Sequence, residues 1–375
     1  MNLLELAAKL KDRLTLVPSL PVVAGFDAFV DEVIEVVGTR NSPKAYIPVP
    51  TIKEFGTWAT SSAGRSGLRE FVTLHRAAGG CAVNSGDGLA TLGFPMDAFA
   101  GIGRSPDSVF EEFRAKCRLV NPVGMEPGRA IVYEFKDGKL MFCSFSHFAD
   151  FTPDYLARQM ADGNYRKACE RAAGIMLTSW SVYPHMTECW KFLQKEIFLR
   201  LAQRPRFFLD LADPASRAPA DLIGMLDALA GFERIGPTTL SLNGNEANQI
   251  ARALGLAEAS HELRDVERLA LELRAHAQIS EVGIHLIKSA TGATVNGVVT
   301  VNGPYCPAPR RSVGAGDRFN SGWLTGSLLG LSVEESLLLG AAVSGFFVRT
   351  ARSGSFPEIL AFLQSWADGS HDLPS

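Results

Sequence analysis

Asp317 directly follows Gly314-Ala315-Gly316, and a helical pattern begins right after it. Small residues ahead of a helix let backbone N–H groups converge. The helix N-terminus adds unpaired donors and the positive end of a dipole. That arrangement suits an anion, and a phosphoryl group whose charge shifts in the transition state is the natural guest. A carboxylate at its mouth can accept the proton of an attacking hydroxyl. Asp317 is therefore expected to act as base, with the Gly314, Ala315 and Gly316 amides stabilising charge.

Other segments offer groups to the same chemistry. Gly79-Gly80 permits close backbone approach and a hinge, and Asn84 then presents an amide from the first turn of a helix. An amide both donates and accepts, which suits a polyhydroxylated ligand. Two acids, Asp27 and Asp31, follow an apolar run at Val22–Gly25. Leu242-Asn243-Gly244-Asn245-Glu246 follows a further expected strand, as does Lys288-Ser289-Ala290-Thr291-Gly292-Ala293.

Several chemistries are excluded. The chain has no G-x-x-x-x-G-K-[ST], H-E-x-x-H or G-x-S-x-G pattern. Gly101-Ile102-Gly103-Arg104-Ser105-Pro106 fails the dinucleotide fingerprint at its last position. The six cysteines form no C-x-x-C pair, so they are read as reduced thiols of a cytoplasmic protein. The net charge of -3, with acids and bases interspersed, gives no footprint for nucleic acid or a membrane surface. The most apolar run, Leu337–Val348, is too short to span a bilayer. Met1–Val17 carries charges among its leucines and reads as an amphipathic helix rather than a leader.

The elements that must position these residues alternate. Strands are expected at Val22–Gly25, Asp97–Ala100, Gly174–Leu177, Arg206–Leu211, Thr239–Leu242 and Gly283–Ile287. Helices are expected at Tyr155–Ala173, Asp265–Gln278 and Val333–Thr350, the last opened by a capping box at Ser332-Val333-Glu334-Glu335. Such alternation predicts a doubly wound, mostly parallel α/β sheet flanked by helices. Two hairpin signals interrupt it, Asp137-Gly138 between Arg129–Phe135 and Lys139–Phe145, and Asn296-Gly297 within Thr294–Val301. With Glu32–Val37 and Ala45–Val49, the first hairpin forms a small β lid. The reading is one domain over 1–375, its lid inserted from about 31–50 and 125–147. Arg40–Arg69 is expected to be a long loop, and the tail after Asp368 to fray.

Taken in order, these motifs resemble the ribokinase (PfkB) family of carbohydrate kinases. Arg311–Phe319 is similar to that family's D-T-x-G-A-G-D-x-F signature, and Gly79–Asn84 with Leu89–Gly93 to its first signature. The resemblance implies ATP-dependent phosphorylation of a hydroxyl on a sugar-like small molecule. It implies that Gly79, Gly80, Asn84 and an acid after the first strand contact the sugar, with Asp31 preferred to Asp27. It implies an N-x-x-E motif, Asn243 and Glu246, that holds Mg2+ largely through water. Lys288, Thr291, Gly292 and Asn320 are the implied nucleotide contacts. One departure stands out: Arg311-Ser312 replaces the family's Asp-Thr, which puts a monovalent-cation site in doubt. A nucleoside kinase with Phe26, Phe29 or Trp180 lining its pocket is one rival, and a non-catalytic sugar sensor another. An exposed lid edge favours a homodimer through the lid.

Overall fold

The computed structural model describes residues 2–260 and 262–370. Most of the expected tail, residues 371–375, lies outside the described residues. The strands in chain order are β1 Val22–Phe26, β2 Phe29–Ser42, β3 Ala45–Pro48, β4 Phe71–Gly79, β5 Met96–Ala100, β6 Leu119–Asn121 and β7 Gly128–Phe135. They continue with β8 Gly138–Ser144, β9 Gly174–Leu177, β10 Arg206–Asp210, β11 Thr238–Asn243, β12 Glu281–His285, β13 Ser289–Thr294 and β14 Gly297–Asn302.

Nine strands form the main sheet in the order β14-β13-β12-β11-β10-β9-β1-β5-β6. From β12 through β6 every pairing is parallel, and β13 and β14 close one edge as an antiparallel hairpin. Every residue of β1, β5 and β9 is buried, as strands covered by helices on both faces must be. Aromatic and aliphatic side chains fill one face, among them Phe26, Tyr165, Trp190 and Phe207. The other face packs under Val333–Thr350 and Ala315–Leu328, with Trp323 fully buried.

After β1 the chain first builds one side of the sheet, β5 and β6, and later the other, from β9 onward. The strand order therefore reverses at β1. Ligands of doubly wound sheets bind in the crevice at such a switch point, beyond the carboxyl ends of the strands.

Above that crevice lies a second, five-stranded sheet, β3-β2-β7-β8 with β4 paired to β2. Val36, Val49 and Phe135 form its small core, with Phe55 and Tyr133 packed against it. The hairpin at Asp137-Gly138 forms as expected, β7 against β8 from Arg129↔Ser144 to Phe135↔Gly138.

Three sequence expectations change. Arg40–Arg69 is not a plain loop, because it contains the end of β2, β3 and the helix Ile52–Ser61. Thr51 caps that helix by accepting from the Glu54 N–H, so Thr51-Ile52-Lys53-Glu54 was a usable start signal. The expected helix Tyr155–Ala173 is two helices, Pro153–Gln159 and Asn164–Arg171, separated by Gly163 at φ 74°. The strand expected to reach Ile287 ends at His285, leaving Ile287 86% exposed.

Candidate active site

The parallel strands deliver polar groups to one edge. Asp27 follows β1, Thr178 follows β9, and Asp210, Asn243 and His285 end β10, β11 and β12. All five emerge at the same end because the strands run the same way.

Asp317, in the first turn of the helix Ala315–Leu328, faces this row. Its carboxylate accepts from Asn84 Nδ2 at 2.9 Å. Ser321 Oγ donates to the Asp317 backbone carbonyl at 2.8 Å, and Ser85 Oγ does so at 3.3 Å. Asn84 and Ser85 belong to the helix Cys81–Thr91, so two helix N-termini meet across the crevice. Gly314 precedes Asp317 with φ 85°, a backbone that L side chains rarely adopt. Burial pushes the Asp317 carboxyl up to about 7, and the nearby Asp210 adds to this while Arg318 opposes it. A carboxyl poised near neutrality is suited to taking up a proton during reaction.

Burial likewise pushes Asp210 up to about 6 and Glu246 well above its ordinary range. The two acids, with Asp317, repel one another through a poorly hydrated space. Asp210 had no assigned part from sequence. Here Asn320 Nδ2 donates to it at 2.8 Å while Asn320 Oδ1 accepts from Ser241 Oγ at 2.6 Å. Asn320 is thus consumed inside the protein and fully buried, which removes it from the expected nucleotide contacts.

Asp27 and Asp31 take different parts. Asp27 is fully buried, and its carboxylate accepts from the Cys81 and Ala82 N–H groups at 2.6 and 2.9 Å and from Thr178 Oγ1 at 2.9 Å. It caps the helix that carries Asn84. Gly80, at φ 95°, leaves room for it, since a Cβ there would lie 2.7 Å from Asp27 Oδ2. Asp31 sits on β2 opposite Ala77, and its carboxylate has no hydrogen-bond partner among the described residues. Burial raises it to about 6, with Arg311 and Lys139 pulling the other way. A Cβ on Gly79 would collide with the Asp31 carboxylate.

A cleft of about 1110 Å³ extends from Ala315, Gly316 and Phe319 past Asn243 and His285 to Lys288 and Tyr305. Lys288 Nζ lies 4.7 Å above the Tyr305 ring. Thr291 and Gly292 do not reach this cleft. Thr291 Oγ1 bonds Thr300 Oγ1 within the edge hairpin, and Gly292 is backed by Val333 and Leu337. His285, unassigned from sequence, lies under Gly316 and is held down at about 4 by burial, so it is neutral.

A profile of prokaryotic ketohexokinases matches residues 9–366. The chain belongs to the prokaryotic ketohexokinase family. It is 28% identical to a ketohexokinase of Haloferax volcanii over 352 residues, covering 92% of each chain. Its fold is similar to that of a ribokinase from Thermotoga maritima, at TM-score 0.62 and 15% identity over 92% of this chain and 99% of that one. It is similar as well to an adenosine kinase from Sinorhizobium meliloti, at TM-score 0.64 and 15% identity over 93% and 99%. The chain is an ATP-dependent carbohydrate kinase of ribokinase-like fold.

The aromatic residues weighed for a base-binding pocket in this kinase are elsewhere. Phe26 and Trp180 are fully buried in the core, and Phe29 packs edge-on against Phe145 and Phe148. Trp180 is covered by the Arg217 guanidinium at 4.3 Å. None of the six cysteines is in a disulfide, as read from the sequence. No helix among the described residues is long and apolar enough to cross a membrane.

Proposed function

We propose that this kinase phosphorylates a hydroxyl of a ketohexose at the expense of Mg-ATP, with Asp317 as the general base. The observation that carries the mechanism is the buried Asp317 carboxylate, raised to about 7 and held by Asn84 beside the Gly314–Gly316 turn. The relative that covers nearly its whole length supports a ketohexose.

The sugar lies between the lid and the strand ends, where the unpartnered Asp31 carboxylate accepts hydrogen bonds from its hydroxyls. Asn84, Gly79 and Gly80 border it. Asp27 acts from behind by holding the Asn84 helix in place. ATP lies in the cleft beyond Gly316, with Lys288 beside it. Asp317 removes the proton of the attacking hydroxyl, and the Gly314, Ala315 and Gly316 amides receive charge on the transferring group.

Mg2+ fits the donor set. Asp210 and Glu246 are buried, raised and mutually repelling, which a dication would relieve. The described residues hold no cluster of three or more acids, cysteines or histidines fit for direct metal binding, and Mg2+ tends to keep its own waters. Asn243, Glu246 and Asp210 would hold it through those waters, where it would neutralise phosphate charge.

The buried aromatics speak against a nucleoside acceptor, and the intact base and turn speak against a sensor. The test is ADP release with Mg-ATP across ketoses, aldoses, sugar phosphates and nucleosides. A ketohexose used at least tenfold better than the rest, and lost in Asp317→Asn, is the expected result. A nucleoside as the best acceptor would overturn the substrate reading.

A further inference from the structure

Lys139 places a cation in a partly buried crevice where desolvation disfavours one. It stands on β8 beside the hairpin turn of the lid, and its Nζ donates to Ser312 Oγ at 2.8 Å, on the opposite wall of the crevice. Ser312 is two residues before Gly314, so the ammonium lies over the mouth of the helix Ala315–Leu328. That end of a helix already carries partial positive charge. Arg311 adds a guanidinium beside it, 5.7 Å from the Phe347 ring centre.

A third cation comes from below. Arg318 is only 6% exposed. Its Nη2 bonds Asp87 Oδ2 at 3.0 Å and its Nε bonds Ser353 Oγ at 3.1 Å. Its Nη1 has no hydrogen-bond partner among the described residues, and it lies 3.2 Å from where a Gly314 Cβ would be. Asn84 Nδ2 lies 3.3 Å from that same point.

Among the described residues neither Lys139 nor Arg311 forms an ion pair with a carboxylate. Asp31 acts on both charges from a distance, and Glu134 acts on Lys139. Burial and the neighbouring Arg311 hold the Lys139 ammonium below its usual range. Lys139 and Arg311, neither paired with a carboxylate, thus meet a helix N-terminus and the unpartnered Nη1 of Arg318, whose other nitrogens are taken by Asp87 and Ser353, a set of donors suited to an anion.

We propose that Lys139 is the lid's catalytic contact with the transferring phosphoryl group. On binding of Mg-ATP it leaves Ser312 for a phosphoryl oxygen, with Arg311 beside it and the Arg318 Nη1 field beneath. The kinase thus completes its set of cations only when the lid is shut. The inference rests on the kinase reading above and adds a lid-borne residue to it. In the step, the P–O bond to the ADP oxygen breaks and one to the sugar oxygen forms. The sugar proton passes to Asp317, and Lys139 keeps its own protons.

The experiment compares wild type with Lys139→Met and Lys139→Arg. Both keep the long side-chain stem, and thermal unfolding of each confirms the fold. Initial rates with Mg-ATP give kcat and KM for the ketohexose and, separately, for the same sugar already bearing a phosphate. Lys139→Met is expected to lower kcat for the free ketohexose on the order of 10- to 100-fold, with its KM within about threefold. Lys139→Arg is expected to recover most of that loss. An unchanged kcat overturns the proposal. So does a rise in ketohexose KM alone, which makes Lys139 a sugar contact. A loss confined to the phosphorylated acceptor also overturns it, by assigning the cations to a phosphate on the substrate. A wild type that releases no ADP with any acceptor overturns the kinase reading itself, and is distinct from an active wild type matched by Lys139→Met.

Discussion

A single proton decides what Asp317 can do. Burial and Asp210 raise its carboxyl to about 7, and a base must be ionised to accept a proton. The free enzyme's kcat/KM is therefore expected to rise with pH up to about 7 and level off above it, falling about tenfold per unit on the acid side. An acid limb near 4 in the pH–rate profile would reject this environment for Asp317. Asp317→Asn retains a group that Asn84 can bond but cannot take the proton. It is expected to lower kcat by about 10²- to 10⁴-fold with ATP affinity nearly unchanged, as read by single-turnover rates and calorimetry. Asp31→Asn is expected to act differently, raising the ketohexose KM about tenfold or more while the ATP KM stays put. The sequence preferred Asp31 to Asp27 only by position; in the structure the Asp27 carboxylate is taken up by Cys81, Ala82 and Thr178, and that of Asp31 has no hydrogen-bond partner among the described residues. Asp210 left no signal at all, since a lone acid ending a strand looks the same whether it faces solvent or a neighbouring strand's acid.

The elements carry their own consequences. Gly80 must turn the chain from β4 into the helix Cys81–Thr91 with φ 95°, and a Cβ there would meet Asp27 Oδ2 at 2.7 Å and Ala28 Cα at 2.9 Å. Gly80→Ala is expected to cost about 1–3 kcal/mol of stability and to disturb Asn84, lowering both Tm and sugar affinity. Measurement of a wild-type Tm for this variant would show that the turn is not constrained. The strand ends gather acids whose folded carboxyls hold their protons to higher pH than an unfolded chain would. For Asp210, raised to about 6, the folded state binds more protons between about pH 4 and 6. Its contribution is thus most favourable below about 4 and is lost as pH rises through 6. Thermal stability without metal is expected to fall over that window, and Mg2+ to recover a few degrees more at pH 8 than at pH 5. Equal recovery at both pH values would argue against a metal at Asp210 and Glu246.

On the scale of the whole molecule, the lid is both roof and exposed surface. Its edge strand β8 leaves Met141 45% and Phe142 57% exposed, and β4 leaves Phe71 47% exposed. An apolar, unpaired strand edge is a template on which a second chain can pair. A homodimer through the lid is the expected solution state, with Phe142→Glu shifting it to monomer in light scattering. A wild-type monomer at micromolar concentration would rule it out.

The local patterns, each complete within a few residues, were decided by the sequence alone. These are the Gly314-Ala315-Gly316-Asp317 turn, the Asp137-Gly138 hairpin and the Ser332–Glu335 capping box. Each depends on contacts between chain neighbours, so the residue order contains it. What only the tertiary structure decided depends on groups far apart in the chain. Asn84 reaches Asp317 and Asp27 caps the helix at Cys81. Asn320 turns inward to Asp210, and Lys139 crosses to Ser312. β4 joins the lid by pairing with β2, and the helix Ile52–Ser61 by packing Phe55 against Tyr133 and Phe135. Burial then sets the charge state of Asp317, because desolvation is a property of the assembled surroundings and of no residue by itself.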